Sequence, residues 1–371
     1  MNEARGQVVP AEAGTAPPLM DSRLRGNDPG PRHLSPNRRA WLRFKRNRAG
    51  YVSLWILCAA LLASAFAEFL SNDRPLVAYY DGRFSFPVFH NPPETFYGGD
   101  FATPTEWSDP YIEQRFAAQP GAWMLRAPNR HSATSIDYFQ KAPNPAPPSR
   151  ENWLGTDGDG QDMVARLLYG FRLSIAFAFA LTAIGVVIGV FFGAIQGYFG
   201  GRVDITTQRL LEIWGSVPEL YLLIIFASIF ERSLLLLLVL LSLFGWIGLS
   251  DYVRAEFLRN RSLEFVKAAR AMGLANAQII WRHVLPNSMT PVITFLPFRM
   301  SAAILALVAL DFLGLGVPPS TPSLGDLVRQ GKANLDSWWI IFPTFAVLVV
   351  TLLLLTFIGD ALRDAFDTRK S

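Results

Sequence analysis

Residues 264–287 read EFVKAARAMGLANAQIIWRHVLPN, a basic, small-residue-rich stretch divided by Gly273 and set between two long apolar runs. Ser262, just ahead of it, offers a helix-capping oxygen. Glu264 falls in the first turn, where its charge complements the positive helix end. Lys267, Ala268 and Ala269 continue that helix, and Gly273 ends it in a turn that a Cβ would hinder. A second helix is expected from about Asn276 to His283, stopping at Leu285-Pro286 because proline has no N–H to donate. Met272, Leu274, Ile279, Ile280 and Trp281 supply apolar surface, while Ala268 and Ala269 keep one side thin. Such a helix-turn-helix suits a connector lying along a membrane and seated in a cleft of a cytoplasmic partner.

The flanking sequence makes it a membrane connector. The chain has 371 residues, 51% of them hydrophobic, with mean hydropathy +0.24 and 17% charged residues. That charge content lies below the roughly 25% of an ordinary soluble domain. Apolar runs of about 20 residues cross a hydrocarbon layer of about 30 Å as helices. Six are expected, at about 51–70, 171–197, 210–230, 233–252, 290–313 and 338–359. The chain thus divides into a basic tail (1–50), a first span (51–70), a long loop (71–170), a core of five spans (171–361) and a short tail (362–371). The connector occupies 254–287 within the core. The fold class is an all-α polytopic membrane protein of six transmembrane helices.

Lysines and arginines near span ends set orientation. Ten precede the first span, Arg38, Arg39, Arg43, Lys45, Arg46 and Arg48 closest to it. Six more lie in the connector region: Arg254, Arg259, Arg261, Lys267, Arg270 and Arg282. Both regions are expected in the cytoplasm, with the tail bearing Arg363, Arg369 and Lys370. The loop 71–170, where acidic residues outnumber basic ones, is then outside. A competing reading takes the basic region, the first apolar run and Ala65-Phe66-Ala67 as a cleavable secretory signal. The long preceding region favours an uncleaved span. Residues 1–40 read as disordered, and Met20 is an alternative start.

Other chemistry is sparse. Cys58 is the single cysteine, and His33, His90, His131 and His283 are scattered without metal-ligand spacing. The net charge of +4 collects beside apolar runs rather than in a nucleic-acid patch. No G-x-x-x-x-G-K-[ST] occurs, so ATP binding through a phosphate loop is not expected of this chain. WLGTDGDGQD (153–162) fails as a calcium loop, since Asp162 stands where the invariant glycine belongs and Leu168 where the glutamate does. It reads as a turn leading into an amphipathic helix. The aromatic outer loop, with Tyr79, Tyr80, Phe84, Phe86, Phe89, Phe96, Tyr97, Phe101 and Trp107, suits a small packed cap with short strands near RFSFPVF. It could also meet an extracytoplasmic partner.

Within the spans, Gly185, Gly189 and Gly193 recur every four residues, a stripe for close helix approach. A lining of the translocation path is the sharper alternative. Glu212, Glu219, Arg299, Asp311 and Asp360 are ionisable groups in or beside spans, flags for function because charge there is expensive. Pro218 beside Glu219, and Pro297 near Arg299, are expected to kink their helices.

The pattern Ala268-Ala269-x3-Gly273 followed by Leu285-Pro286 resembles the EAA loop of ABC importer permeases. Lys267 stands in place of the generic glutamate and His283 in place of isoleucine, both usual in the oligopeptide/dipeptide branch. Ala275 stands where that branch often has serine. NWLGTD, ARLLYGFRLSI, GYFGGRVD, LDFLGLGVP, PSLGDLVRQGKANL and GDALRDAFD extend the resemblance over about residues 35–367. The likeness is strongest to Yej-type members, associated with oligopeptide and microcin C uptake. It implies a type I importer permease fold in a bacterial inner membrane, with both termini cytoplasmic. It implies as partners a second, B-type permease, ABC ATPase subunits seated on Glu264, Lys267, Ala268, Ala269, Gly273, His283, Leu285 and Pro286, and a periplasmic substrate-binding protein. Membrane lipid surrounds the chain, no nucleic acid is expected, and ATP with Mg would be bound by the ATPase, leaving this chain without cofactor or catalysis. A proton-coupled carrier using Glu219, Arg299 and Asp311, and a membrane-anchored binding or scaffold protein, are the rival classes.

Overall fold

The computed structural model describes residues 36–136 and 142–367. Most of the tail read as disordered, with Met20, lies outside them, as do Arg369 and Lys370. Helix α1 (Pro36–Arg46) is basic and amphipathic, with Phe44 buried against Ala361 and Ala365. Helix α2 (Arg48–Ala65) begins at Asn47, whose side chain accepts from the Gly50 N–H at 3.2 Å. A short α3 (Ala67–Leu70) leads into the loop.

That loop folds into a cap. Strands β1 (Val77–Tyr80) and β2 (Arg83–Ser85), helix α4 (Pro110–Ala118) and strand β3 (Trp123–Leu125) form it, with antiparallel order β2-β1-β3. Ala78 pairs with both Ser85 and Met124. Tyr97, Trp107, Ile112 and Phe116 bury themselves beneath, so the aromatic residues make a small core of their own. The Tyr97 hydroxyl lies 2.7 Å from Ser85 Oγ, and burial pushes the Tyr97 phenol above its usual value.

The remainder is helical: α5 (Met163–Phe199), α6 (Gly201–Gly215), α7 (Glu219–Ile229), α8 (Leu234–Phe244), α9 (Ile247–Asn260), α10 (Glu264–Ala271), α11 (Asn276–Ile279), α12 (Leu285–Phe312), α13 (Leu324–Ala333) and α14 (Trp338–Phe366). Among the described residues five continuous stretches are long and apolar enough to span: α2, α5, α8 through α9, α11 through α12, and α14. The pair α6 and α7, bent by 58°, makes a sixth if taken as one. Pro218 sits at that bend, where its ring would clash with a carbonyl one turn back. Pro291 and Pro297, by contrast, lie inside an α12 that runs on through them without a break.

Helix α5 starts eight residues before the span expected from 171 and takes in the amphipathic lead-in as its first turns. Its Asp162 cap accepts from Ala165 N–H at 2.9 Å. The expected fourth span, ending near 252, runs as α9 to Asn260. Glycines set a close contact between α5 and α9. A Cβ on Gly193 would sit 2.5 Å from the Ser250 carbonyl oxygen and 2.7 Å from Val253 Cβ. On Gly189 it would meet the Trp246 carbonyl oxygen at 3.0 Å. Dispersion between closely packed backbones holds such a pair, since lipid offers no hydrophobic drive. On the other side α14 packs on α2, α12 and α13 through Leu57, Ile304, Leu327, Ile340 and Leu355.

Candidate functional site

The connector closes the end of the bundle opposite the cap. Helix α10 starts at Glu264, which takes Lys267 Nζ at 2.9 Å in an exposed pair. Ser262 does not cap it. The helix is entered from Leu263, and Ser262 Oγ turns back to donate to the Arg259 carbonyl at 2.8 Å. Val266 and Ala269 face inward and are buried with Phe257, Ile279 and Val284, while Ala268 faces solvent. Gly273 takes φ +78, and the Leu274 N–H returns to the Ala269 carbonyl at 3.3 Å, closing the turn. A side chain there would adopt a left-handed conformation that costs about 1–2 kcal/mol.

The second helix departs from expectation. Asn276 does not cap it. The residue before the helix is Ala275, and Asn276 Oδ1 instead accepts from the Tyr198 hydroxyl at 2.8 Å. The helix does not stop at Leu285-Pro286 either. A wide π turn, Ile280–Val284, joins α11 to α12, so Asn276–Phe312 forms one span. Pro286 falls in the first turn of α12, after that wide turn has loosened the register in which its ring would clash. The Asn287 side-chain amide donates to the His283 carbonyl at 2.7 Å. Thus His283, Leu285 and Pro286 belong to the rigid base of a spanning helix.

Tyr198, at the end of α5, gathers the connector. Besides Asn276, its hydroxyl accepts from Arg270 Nη2 at 3.4 Å, and the Arg270 guanidinium lies over its ring at 5.6 Å. Arg261 Nη1 donates to its carbonyl at 3.2 Å. Asn260 Nδ2 donates to Ser288 Oγ at 2.8 Å, a buried bond tying α9 to α12. The outward face then presents Ala268 and Gly273 between large apolar side chains, with Met272 73% and Trp281 71% exposed. Such side chains on a thin ridge form a surface for a partner. None of these Tyr198 and Asn260 bonds was foreseen, because they join residues far apart in the chain.

The possible path residues fall into two groups. Arg299 Nη2 donates to the Gly245 carbonyl, freed where α8 ends and α9 begins. A Cβ on Gly185 would lie 3.1 Å from that Arg299 nitrogen, so Gly185 gives the guanidinium its room. Gly189 and Gly193 continue the same face of α5 against α9. Pro218 and Glu219 sit instead at the α6–α7 bend. Of the other flagged ionisable groups, Asp360 is exposed, and Glu212 and Asp311 have structural partners. Glu212 takes Arg209 at 2.6 Å, and Asp311 accepts from Val317 N–H at 2.8 Å and from Ser323 Oγ.

Under the cap lies a buried network that sequence reasoning missed. Arg166, fully buried, lies 3.4 Å from Asp157 Oδ2 through Nε and donates to Asp326 Oδ2 at 3.0 Å. Asp157 also accepts the backbone N–H groups of Asp159 and Gln161 at 3.0 and 2.9 Å. Gln330 accepts from Gly158 N–H at 2.8 Å and donates to Asp326 Oδ2 at 2.8 Å. Asp162 accepts from Asn129 Nδ2 at 2.7 Å. Burial pushes both the Asp157 and the Asp162 carboxyls above the ordinary carboxylate value. The turn at 153–162 is thereby welded to α13, and Arg166 escaped notice because it lies ahead of the span expected from 171.

Residues 185–371 match the family model described as binding-protein-dependent transport system inner membrane component. Residues 35–93 match the N-terminal TM domain of oligopeptide transport permease C. The chain is 46% identical over 339 residues to the inner membrane ABC transporter permease protein YejE of Escherichia coli (strain K12), covering 91% of this chain and 99% of that one. It is 41% identical over 360 residues to the peptidoglycan transport system permease protein YejE of Agrobacterium fabrum, covering 90% and 93%. It is 30% identical over 340 residues to the dipeptide transport system permease protein DppC of Lactococcus lactis subsp. cremoris, covering 90% of each.

Proposed function

The chain belongs to the binding-protein-dependent transport system inner membrane components, in their oligopeptide-permease branch, and from that premise we propose that α10 and α11 seat its partner ATPase. It is a multi-pass inner-membrane permease subunit of an ABC importer of peptides and is not itself an enzyme, ATP being hydrolysed by a separate subunit. Family membership sets aside the proton-coupled carrier and the anchored scaffold.

Glu264, Lys267, Ala268 and Gly273 form the docking ridge, while Ala269, expected to meet the ATPase, is buried beneath it against Phe257 and Val284 and supports the ridge from inside. His283, Leu285 and Pro286 pass its motion into α12. The observation that carries this reading is the exposed pair Met272 and Trp281 flanking a thin Ala268–Gly273 ridge that is tied to α5, α9 and α12. Closure of the ATPase on its nucleotide would push the ridge, and α12 would turn as one rod from connector to Phe312. ATP and Mg stay in the ATPase, and no cofactor is held by this chain.

The apolar face of α6 and α7, with Ile213, Tyr221 and Ile229 exposed, is offered to a second, B-type permease. Both termini lie in the cytoplasm, following the positive charges of α1 and the connector. The cap then faces the periplasm and meets a substrate-binding protein. Arg299, with Gly185, Gly189 and Gly193, and the Pro218–Glu219 bend are the gate. The substrate class is an oligopeptide or peptide-like compound, and the relative from Agrobacterium fabrum extends the candidates to peptidoglycan fragments.

Affinity purification in mild detergent tests the docking reading. An ATPase and a second permease should co-purify with the native chain, and Ala268→Arg, which widens the ridge, should lose the ATPase while keeping the second permease. Full recovery of the ATPase with that variant would contradict the assignment.

A further inference from the structure

Two adjoining hollows lie where the cap meets the spans. One, of about 610 Å³, is lined on α2, α5 and α14 by apolar side chains, among them Leu57, Ala60, Phe171, Val347 and Leu354. It lies in the half of the bundle nearer the cap, since α2 is lined from Ile56 to its cap end and α5 near its start. The other, of about 510 Å³, opens above it and is charged, with Arg126, Arg130, Arg150 and His131 facing Asp73, Glu113 and Glu151. Pro128 and Trp153 line both, so the two hollows share a wall at these residues. Trp153 is 54% exposed at the junction, the place an interfacial tryptophan takes between hydrocarbon and headgroup.

We propose that this composite site holds one phospholipid with a zwitterionic headgroup, its acyl chain between α2 and α14 and its phosphate and primary ammonium in the cleft above. Both hollows fall in the size range of small-molecule sites. The lower one gains an acyl chain nothing by hydrophobicity over the surrounding bilayer, which is equally apolar. It supplies shape, and selection must come from the headgroup. The cleft carries both signs. Glu113 already holds Arg126 at 3.0 Å and is 4.0 Å from Arg130, whereas Arg150 and Glu151, like Asp73 and His131, are in no ion pair among the described residues. The exposed neighbours Arg150 and Glu151 offer both signs side by side to an arriving headgroup. A guanidinium takes a phosphate, and a carboxylate takes an ammonium. An anionic headgroup would satisfy only the first, and a quaternary ammonium cannot donate a hydrogen bond to the second.

Native mass spectrometry of the full-length chain, released from nanodiscs containing equal fractions of phosphatidylethanolamine, phosphatidylglycerol and phosphatidylcholine, tests the proposal. Phosphatidylethanolamine should be retained about threefold over either competitor, the scale of an exposed ion pair. Glu151→Gln should remove that preference, Arg150→Gln should lower retention of all three lipids alike, and Ala60→Phe should fill the hollow and release all three. Both headgroup positions are exposed, so those variants keep the fold even if Ala60→Phe does not. Equal retention of the three lipids, indifference to both headgroup variants, or cross-linking of a probe at Ala60 to a polypeptide instead of a lipid would overturn the proposal.

Discussion

At the scale of single residues, Arg166 holds the turn at 153–162 to α13. It is a fully buried cation between Asp157 and Asp326, and removing it leaves the buried Asp157 without a counter-ion, while Asp326 keeps Arg329. Breaking such a pair costs about 3–5 kcal/mol. Arg166→Leu should therefore lower thermal stability in detergent by that amount, and an unchanged melting temperature would contradict the role. The two carboxyls raised by burial set a pH dependence of known sign. The folded junction binds protons more tightly than the unfolded chain at Asp157 and Asp162. Their contribution is fully present below the ordinary carboxylate range and is lost as pH rises through the raised folded values. Stability should thus gain as pH falls from neutral toward that range. Asp162→Asn keeps an oxygen for the Ala165 N–H and should flatten the slope. A slope identical to that of the native chain would exclude Asp162 as a source.

At the scale of helices, the glycines of α5 decide which contacts tolerate change. Gly193 faces backbone of α9 at 2.5 Å, whereas Gly185 faces the flexible end of Arg299, with the Gly245 carbonyl at an ordinary 3.8 Å. Gly193→Val should cost about 1–3 kcal/mol by overpacking, while Gly185→Ala should stay near neutral, both read as melting temperatures of the purified chain. Equal losses at the two sites would contradict this ranking. The spans were legible in sequence from their apolar runs, and the cap from its aromatic residues. Their ends were not. The sixth element, α6 with α7, is bent because of Pro218, whereas Pro286 and Pro297 leave their helix continuous. The difference lies in the neighbours: a π turn precedes Pro286, and Asn287 covers a carbonyl beside it. A proline reports a missing donor, but whether the helix breaks depends on what else meets the freed group.

At the scale of the whole molecule, the connector is tied to α5, α9 and α12 and continues through α12 to Phe312, which is what the proposed docking role requires. The helix that ends at Gly273 was legible from Glu264 in its first turn and from the glycine, whereas its proposed docking role comes from the resemblance of Ala268, Ala269, Gly273 and Pro286 to the EAA loop. Its anchoring on Tyr198, Asn260 and Ser288 was not, because hydrogen bonds between distant segments leave no local pattern. The measurement that bears most directly on the account is ATP hydrolysis by the reconstituted importer, stimulated by a peptide-loaded binding protein, with Gly273→Pro in this chain. Proline fixes φ near −65°, against +78 in the native turn. The account predicts loss of stimulation and of peptide uptake while the chain still inserts in the membrane. Stimulation and uptake at the native level in that variant would contradict it.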